Sequence, residues 1–280
     1  EGYCSGCSIL PRPLEEFRAL LPFELTQAQR RVMEEMADDM AAGRPMNRLV
    51  QGDVGSGKTT VAAWGAWLAA QSGWQSALMA PTEVLAEQHY RTMNQLLSPA
   101  GVRVALFTGS MTAAEKRAAR AALRSGEVDL AVGTQALLSQ GVDFARLGLV
   151  ITDEQHRFGV GQRIALGQKG QSPHTLVMSA TPIPRTLALM IYGDLDISVI
   201  DTMPVGRLPV KTYAIDSAKR QRAYGYIKQH LDQGYQGYII CPLVEPGEVD
   251  LGLVPASEYA ENLQKHDFAD YRVGLLHGKM

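Results

Sequence analysis

The stretch QGDVGSGKTT, residues 51–60, constrains the fold more than any other part of the chain. It follows the apolar run NRLV and precedes VAAWGAWLAA. A short apolar run, a glycine-rich loop and a long apolar run describe a strand, a turn and a helix. Gly52, four residues, then Gly57-Lys58-Thr59 fill the pattern GxxxxGK[ST] completely. Glycines let backbone N–H groups turn inward toward an anion, and the following helix aims its positive end at the same point. On this reading Gly52, Asp53, Val54, Gly55, Ser56, Gly57, Lys58, Thr59 and Thr60 form a phosphate cradle. Lys58 places a compact positive charge on the β- and γ-phosphates, and Thr59 offers a hydroxyl to Mg2+.

Such a cradle needs a carboxylate for the metal and a group to orient water. LGLVITDEQH (147–156) supplies both. The apolar run ends in Asp153-Glu154, so the carboxylates emerge at the C-terminal end of a strand, where α/β sheets bind ligands. Asp153 is the expected Mg2+ ligand, and Glu154 orients or deprotonates the attacking water. The implied reaction is phosphoryl transfer to water.

The rest of the chain fits that frame. TQAQRRVMEEMADDMAAG (26–43) is an amphipathic helix with Thr26 as N-cap and Gly43 as its stop. Strands are expected in QSALMAP, VRVALFTG, VDLAVGT, LGLVITDE, HTLVMSAT and LDISVID, with helices in TEVLAEQHYRTMNQLL and TAAEKRAARAALRSG. Strands alternating with helical crossovers imply an α/β fold, a parallel sheet covered on both faces. A boundary is expected near TMPVGRLPVKT (202–212), where Pro204, Gly206 and Pro209 interrupt regular structure. Beyond it lie a helix in AKRQRAYGYIKQHLDQG and strands in GYIICPLVE and VGLLHGKM. The expected division is a lead-in over 1–22, a nucleotide-binding domain over 23–204 and part of a second α/β domain over 205–280.

The net charge is −2, so no global basic field points to nucleic acid, although a local groove can be basic on a near-neutral chain. Cys4 and Cys7 form one CxxC with no second ligand pair, which disfavours zinc. No apolar run reaches the roughly 18 residues of a membrane span, and the expected compartment is the cytoplasm.

The full motif series is LTQAQ (25–29), GDVGSGKT (52–59), APTEVLAEQH (80–89), FTGS (107–110), VGTQALL (132–138), DEQH (153–156) and SATPIPRTLA (179–188). In this order it resembles the first motor domain of superfamily 2 helicases. The longer strings QGDVGSGKT, DEQHRFGV and MSATPIPRTLA are similar to the RecG family of bacterial branched-DNA translocases. The resemblance covers about residues 14–280. It implies RecA-like domains of the P-loop NTPase type, ATP and Mg2+, and ATP-driven remodelling of stalled forks and recombination junctions in DNA repair and recombination. It also implies a monomer in the bacterial cytoplasm, associated with the nucleoid. Forked or branched DNA is the implied partner, with a single-stranded-DNA-binding protein as a partner of the full-length enzyme.

Residue by residue, the resemblance assigns Gln29 to the adenine edge, with Phe23 or its apolar neighbours packed on the base; an ordinary exposed helix residue is the alternative for Gln29. Pro81, Thr82 and Glu83, then Thr108-Gly109, then Gly133-Thr134, are candidate DNA-backbone contacts at three strand ends; each alone also reads as a turn. Gln155, His156, Ser179, Ala180, Thr181 and Arg185 are candidates for coupling nucleotide state to DNA grip. His156 as a buried structural histidine and Arg185 as a helix cap stay open. Lys116, Arg117, Arg120 and Arg124 read first as a solvated helix face and second as DNA contacts. The resemblance further implies an internal piece of a longer enzyme: the second motor half's arginine finger and an upstream oligonucleotide-binding wedge are not among these residues. The expectation is an ATP site without working translocation. Two other readings stand beside this one. One is a transcription-repair coupling factor, whose family shares RFGV and ATPIPRTL but carries DEEH and a P-loop Tyr where this chain has Gln155 and Ser56. The other is a nucleotide-switched binding module.

Overall fold

In the computed structural model, residues 7–139, 141–153, 172–181, 195–202, 210–243 and 254–278 are described. Threonine caps set the helix starts. Thr26 and Gln29 form a reciprocal capping box that opens α2 (Gln27–Ala41), and Gly43, in the left-handed region at φ 72°, follows its end. Thr82 caps α4 (Glu83–Leu97), and a second box, Thr112 with Glu115, opens α5 (Ala113–Ser125). The short α1 (Leu14–Arg18) precedes them, and α3 (Lys58–Gln71) follows the phosphate loop.

The strands are β1 (Asn47–Gly52), β2 (Gln75–Met79), β3 (Val104–Phe107), β4 (Leu130–Gly133), β5 (Leu147–Asp153), β6 (His174–Ser179) and β7 (Asp196–Ile200). They form one sheet in the order β3-β4-β2-β5-β6-β1-β7, parallel at every pairing. Alternation along the strands buries both faces. Val50, Leu78, Leu130, Ile151 and Leu176 share a core with α2, α3 and α4, while Ala131 packs with Phe107 and Leu123 of α5 on the other face. This is the expected α/β architecture. Because every pairing is parallel, the C-terminal ends of the strands lie on one edge of the sheet.

Helix α3 is apolar all round and nearly fully buried, which suits the centre of a layer rather than a surface. Its Trp64 and Trp67 stack at 5.3 Å, and Phe17 of α1 packs on both at 5.4 and 5.8 Å. Cys7, Ile9 and Phe17 are buried in this unit, so the lead-in from Cys7 onward belongs to its core. The Cys7 thiol donates to the Gly148 carbonyl, and the Cys7 carbonyl meets His174 Nε2 at 2.6 Å. Cys4 lies outside the described residues.

The chain divides into two compact units, Glu1–Leu208 and Pro209–Met280. The second contains α6 (Arg220–Asp232) and α7 (Ala256–Asn262) around Tyr224, Leu263 and Phe268. The strands expected in GYIICPLVE and VGLLHGKM do not form over their described residues. Tyr238, Ile240 and Leu276 stand 86%, 93% and 89% exposed there. An apolar run states a need for burial but does not supply a neighbour. No described residue of this unit offers the ladder of backbone bonds that would hold such a strand. No helix among the described residues is long and apolar enough to cross a membrane.

Candidate functional site

Gly55 and Gly57 take left-handed φ of 79° and 90°, which turn the loop after β1 back over the start of α3. A Cβ on Gly57 would lie 2.0 Å from Gln29 Nε2, and one on Gly52 would lie 2.5 Å from Ser56 Oγ. Gly57 is therefore required by contact as well as by conformation, and Gly52 by contact. The turn closes through Ser56 N–H to the Asp53 carbonyl at 3.0 Å. Gly57 is the N-cap of α3, and no side chain among the described residues caps that helix. The Thr60 N–H donates to the Gly57 carbonyl at 3.0 Å, and a helix start that no side chain caps is the kind of terminus that binds phosphate. Lys58 Nζ donates to the Gly52 and Asp53 carbonyls at 2.5 and 3.0 Å, so the ammonium sits over the loop. Asp53, Val54 and Gly55 are exposed, Ser56 and Thr60 are buried, and Thr59 is half-buried on the first turn. Ser56 Oγ has no partner among the described residues.

Gln29 has two contacts that its sequence context does not show. It is 2% exposed, its Oε1 accepts from the Thr26 N–H at 2.9 Å, and its Nε2 donates to the Ser56 carbonyl at 2.8 Å. In this structure the amide ties the start of α2 to the phosphate loop instead of standing open to a base edge. Phe23 is 44% exposed beside this segment.

Strand registry places the acidic group. Phe107, Gly133, Met79 and Thr152 stand level across β3, β4, β2 and β5. Asp153 is the next residue and pairs with Met178, one step before the Gln51–Ser179 level at which β1 enters the loop. Asp153 therefore rises at the same edge as Lys58 and Thr59, two strands from β1. Its Oδ2 lies 2.6 Å from His89 Nε2. Hard oxygen donors from Thr59 and Asp153 suit Mg2+, which takes one or two protein oxygens beside phosphate and water. Among the described residues there is no cluster of three or more acidic, His or Cys side chains that would make an all-protein metal cage.

Ser179, Ala180 and Thr181 continue β6 at that edge, where Ser179 Oγ and Thr181 Oγ1 pair at 2.9 Å. Glu154, Gln155, His156 and Arg185 lie outside the described residues.

The other three strand ends carry a different surface. Thr82 accepts from the Leu85 N–H as a helix cap. Glu83 Oε1 accepts from the Ser110 N–H at 3.0 Å, and that bond holds its carboxyl below the usual range. The Glu83 side chain thus fastens the 108–110 turn. Thr108 is 3% exposed and pairs with Ser110. Gly133 is buried, and a Cβ there would sit 2.1 Å from the Phe107 carbonyl. Both shape the edge rather than face solvent. Pro81, Gly109 and Thr134 are more open. Gly109 and Thr134 line a hollow of about 420 Å3 with Lys116 and Arg120. Lys116 Nζ donates to the Gly109 carbonyl, and Arg120 Nε is buried without a hydrogen-bond partner among the described residues. Arg117 and Arg124 are exposed on α5. In the sequence His89 is marked only by its place at the end of APTEVLAEQH.

Comparison with known proteins agrees with this layout. The DEAD/DEAH box helicase family matches residues 26–190. The chain is 50% identical over 267 residues to an ATP-dependent DNA helicase RecG of Synechocystis, covering 95% of this chain and 32% of that protein. It is 48% identical to the Bacillus subtilis RecG over 95% of this chain and 39% of the relative. It is similar to a solved RecG bound to a three-way DNA junction, with a TM-score of 0.77, 42% identity, and coverage of 94% of this chain and 34% of that one. A DNA-bound MrfA helicase, at 19% identity and a TM-score of 0.61 over 83% of this chain and 37% of that one, shares the fold. The chain spans about a third of the length of the relatives it matches. A phosphate loop, an acidic strand end and matched sequence throughout that core give one assignment: the chain belongs to the DEAD/DEAH box helicase family, with the RecG enzymes as its relatives along almost its whole length.

Proposed function

We propose that the chain is the nucleotide-binding motor segment of an enzyme that hydrolyses ATP to move on and remodel branched DNA, as at stalled forks and recombination junctions. The observation that carries this is the division of one sheet edge. The ends of β1, β5 and β6 hold the phosphate loop, Asp153 and the Ser179–Thr181 turn; the ends of β3 and β4, with α5, hold the Lys116–Arg120 hollow. A single rigid sheet thus presents a triphosphate site and a sequence-blind backbone site side by side.

In the nucleotide site Lys58 balances phosphate charge, and the first turn of α3 offers its N–H groups. Thr59 and Asp153 would hold Mg2+, which neutralises charge on the phosphates. Glu154 orients the water. Gln155, His156, Ser179, Ala180, Thr181 and Arg185 connect that chemistry to the DNA side. Thr134, Gly109, Lys116 and Arg120 contact a phosphate backbone, and Pro81 and Thr82 border them. The partner named in the RecG complex, a three-way junction, fits backbone-directed contacts, because branched DNA differs from a duplex in the path of its backbone rather than in its bases.

The test is MgATP binding and forked-DNA binding by the 280-residue chain beside Lys58→Ala. Losing a charged hydrogen bond of about 1.5–3 kcal/mol should weaken MgATP roughly 10–100-fold. Unchanged affinity refutes the phosphate-loop assignment. Absence of forked-DNA binding at low salt refutes the DNA reading.

A further inference from the structure

The nucleotide half and the DNA half of the sheet edge meet where β2 pairs with β5, and one polar side-chain pair crosses that seam. His89 lies on α4, the helix that follows β2, and Asp153 ends β5. His89 Nε2 and Asp153 Oδ2 are 2.6 Å apart, with side chains 10% and 14% exposed. Leu149 and Ile151 face the core shared with α3 and α4, and alternation puts Asp153 on that same face. Opposite a carboxylate, Nε2 is the nitrogen that carries the proton.

We propose that His89 is a positioning residue for Asp153: its ring N–H holds Oδ2 and fixes the carboxylate's rotamer, leaving Oδ1 as the oxygen for the metal-bound shell. This rests on the nucleotide reading above. A carboxylate at the open end of a strand has two free torsions, and a metal must order both before it gains a ligand. A buried partner on a packed helix orders them in advance. Met93, Leu96 and Leu97, later on α4, are buried in the main core, so the helix that carries His89 is itself fixed. Ligating carboxylates are held by such outer partners, and their loss costs about 10–100-fold in metal affinity or activity.

The same helix begins at Thr82 and Glu83, and Glu83 holds the Ser110 N–H beside Gly109. One rigid element therefore touches the DNA-side turns at its first residues and the metal carboxylate less than two turns later. A shift of α4 along its axis would be felt at Asp153 without passing through the strands.

The experiment uses the 280-residue chain as wild type, His89→Ala and His89→Gln. Mn2+ binding is followed by electron paramagnetic resonance with a non-hydrolysable ATP analogue present, and analogue affinity is measured separately in EDTA. The Gln amide N–H reaches the place of Nε2–H, so His89→Gln should bind Mn2+ within a few-fold of wild type. His89→Ala should bind it about 10–100-fold more weakly. Affinity for the metal-free analogue should match in all three. Coincident wild-type and Ala curves overturn this inference alone. A Gln variant as weak as Ala also overturns it, since packing rather than the donated bond would then be at work. If His89→Ala loses its far-UV dichroism, His89→Leu fills the space without a donor, and wild-type Mn2+ binding by it is equally fatal. Wild-type chain that takes up no Mn2+ with the analogue overturns the nucleotide reading as well.

Discussion

Replacing Gln29 with Ala separates two views of that residue. As a base reader, Gln29 would contribute to nucleotide affinity and little to folding. The structure predicts the reverse. Its Oε1 completes the Thr26 capping box, and its Nε2 satisfies the buried Ser56 carbonyl. Loss of the side-chain half of the box costs about 1 kcal/mol. The Ser56 carbonyl, left without its donor inside the loop, adds about 1–3 kcal/mol. A total near 2–4 kcal/mol, at about 2–4 °C per kcal/mol for a domain of this size, lowers Tm by roughly 5–15 °C. The assay is thermal unfolding by circular dichroism with no nucleotide present, beside a titration of the ATP analogue at a temperature where both proteins are folded. A Tm within about 2 °C of wild type, together with a collapsed analogue affinity, would refute the clamp. Gln29→Glu sharpens the comparison: it keeps the acceptor for Thr26 but turns a carboxylate oxygen toward the Ser56 carbonyl, so its Tm should fall at least as far.

Two other outcomes follow from single contacts. His174 accepts the Met46 N–H at Nδ1 and meets the Cys7 carbonyl at Nε2, which makes it a neutral imidazole, and burial holds its pKa below the ordinary value. The unfolded chain then takes up a proton that the folded one refuses, so stability present above about pH 6.5 is lost as pH falls from there toward the folded value. Tm measured from about pH 7.5 to about 5.5 should fall more steeply for wild type than for His174→Gln, and parallel curves would refute the assignment. Lys116→Ala and Arg120→Ala should each reduce the slope of log affinity against log salt for forked DNA by about 0.7–0.9; an unchanged slope would place the hollow outside the DNA path.

Legibility in the sequence followed the range over which each constraint acts. The phosphate loop could be read because its glycines, lysine and threonine must sit at fixed spacing within one turn. The parallel sheet could be read because each strand and helix carries its own periodicity and caps, as Thr26, Thr82 and Thr112 do. Residues whose partners are far along the chain could not. His89 and Asp153 are 64 positions apart, and nothing local to either marks the other. Gln29 was recognised as part of the site, yet its contact with Ser56 depends on where the folded loop lies. Gly133 and Thr108 read as contact candidates because small residues at strand ends suit that role; the close approach to the Phe107 carbonyl and the pairing with Ser110 are local roles that the sequence does not display. Phe17 sits outside every motif, and only the tertiary fold brings it onto Trp64 and Trp67.

Under the DNA reading proposed above, charge bears on the form of the Lys116–Arg120 hollow. With a net charge of −2 the whole chain exerts no useful attraction on a polyanion, and salt screens exposed charges beyond about 8–10 Å. Any grip must come from cations brought within that distance of the backbone. Lys116 and Arg120 line the hollow proposed for that contact, and both are partly held already: Lys116 by the Gly109 carbonyl, Arg120 by burial of its Nε. Held side chains lose less entropy on contact than free ones, so few of them suffice. Glu83, fastened to the same turn, adds a negative charge nearby and limits the attraction. A strongly basic groove would bind DNA and keep it. The motor proposed above must release its track in every cycle, and two oriented cations beside one anchored carboxylate suit a contact weak enough to break.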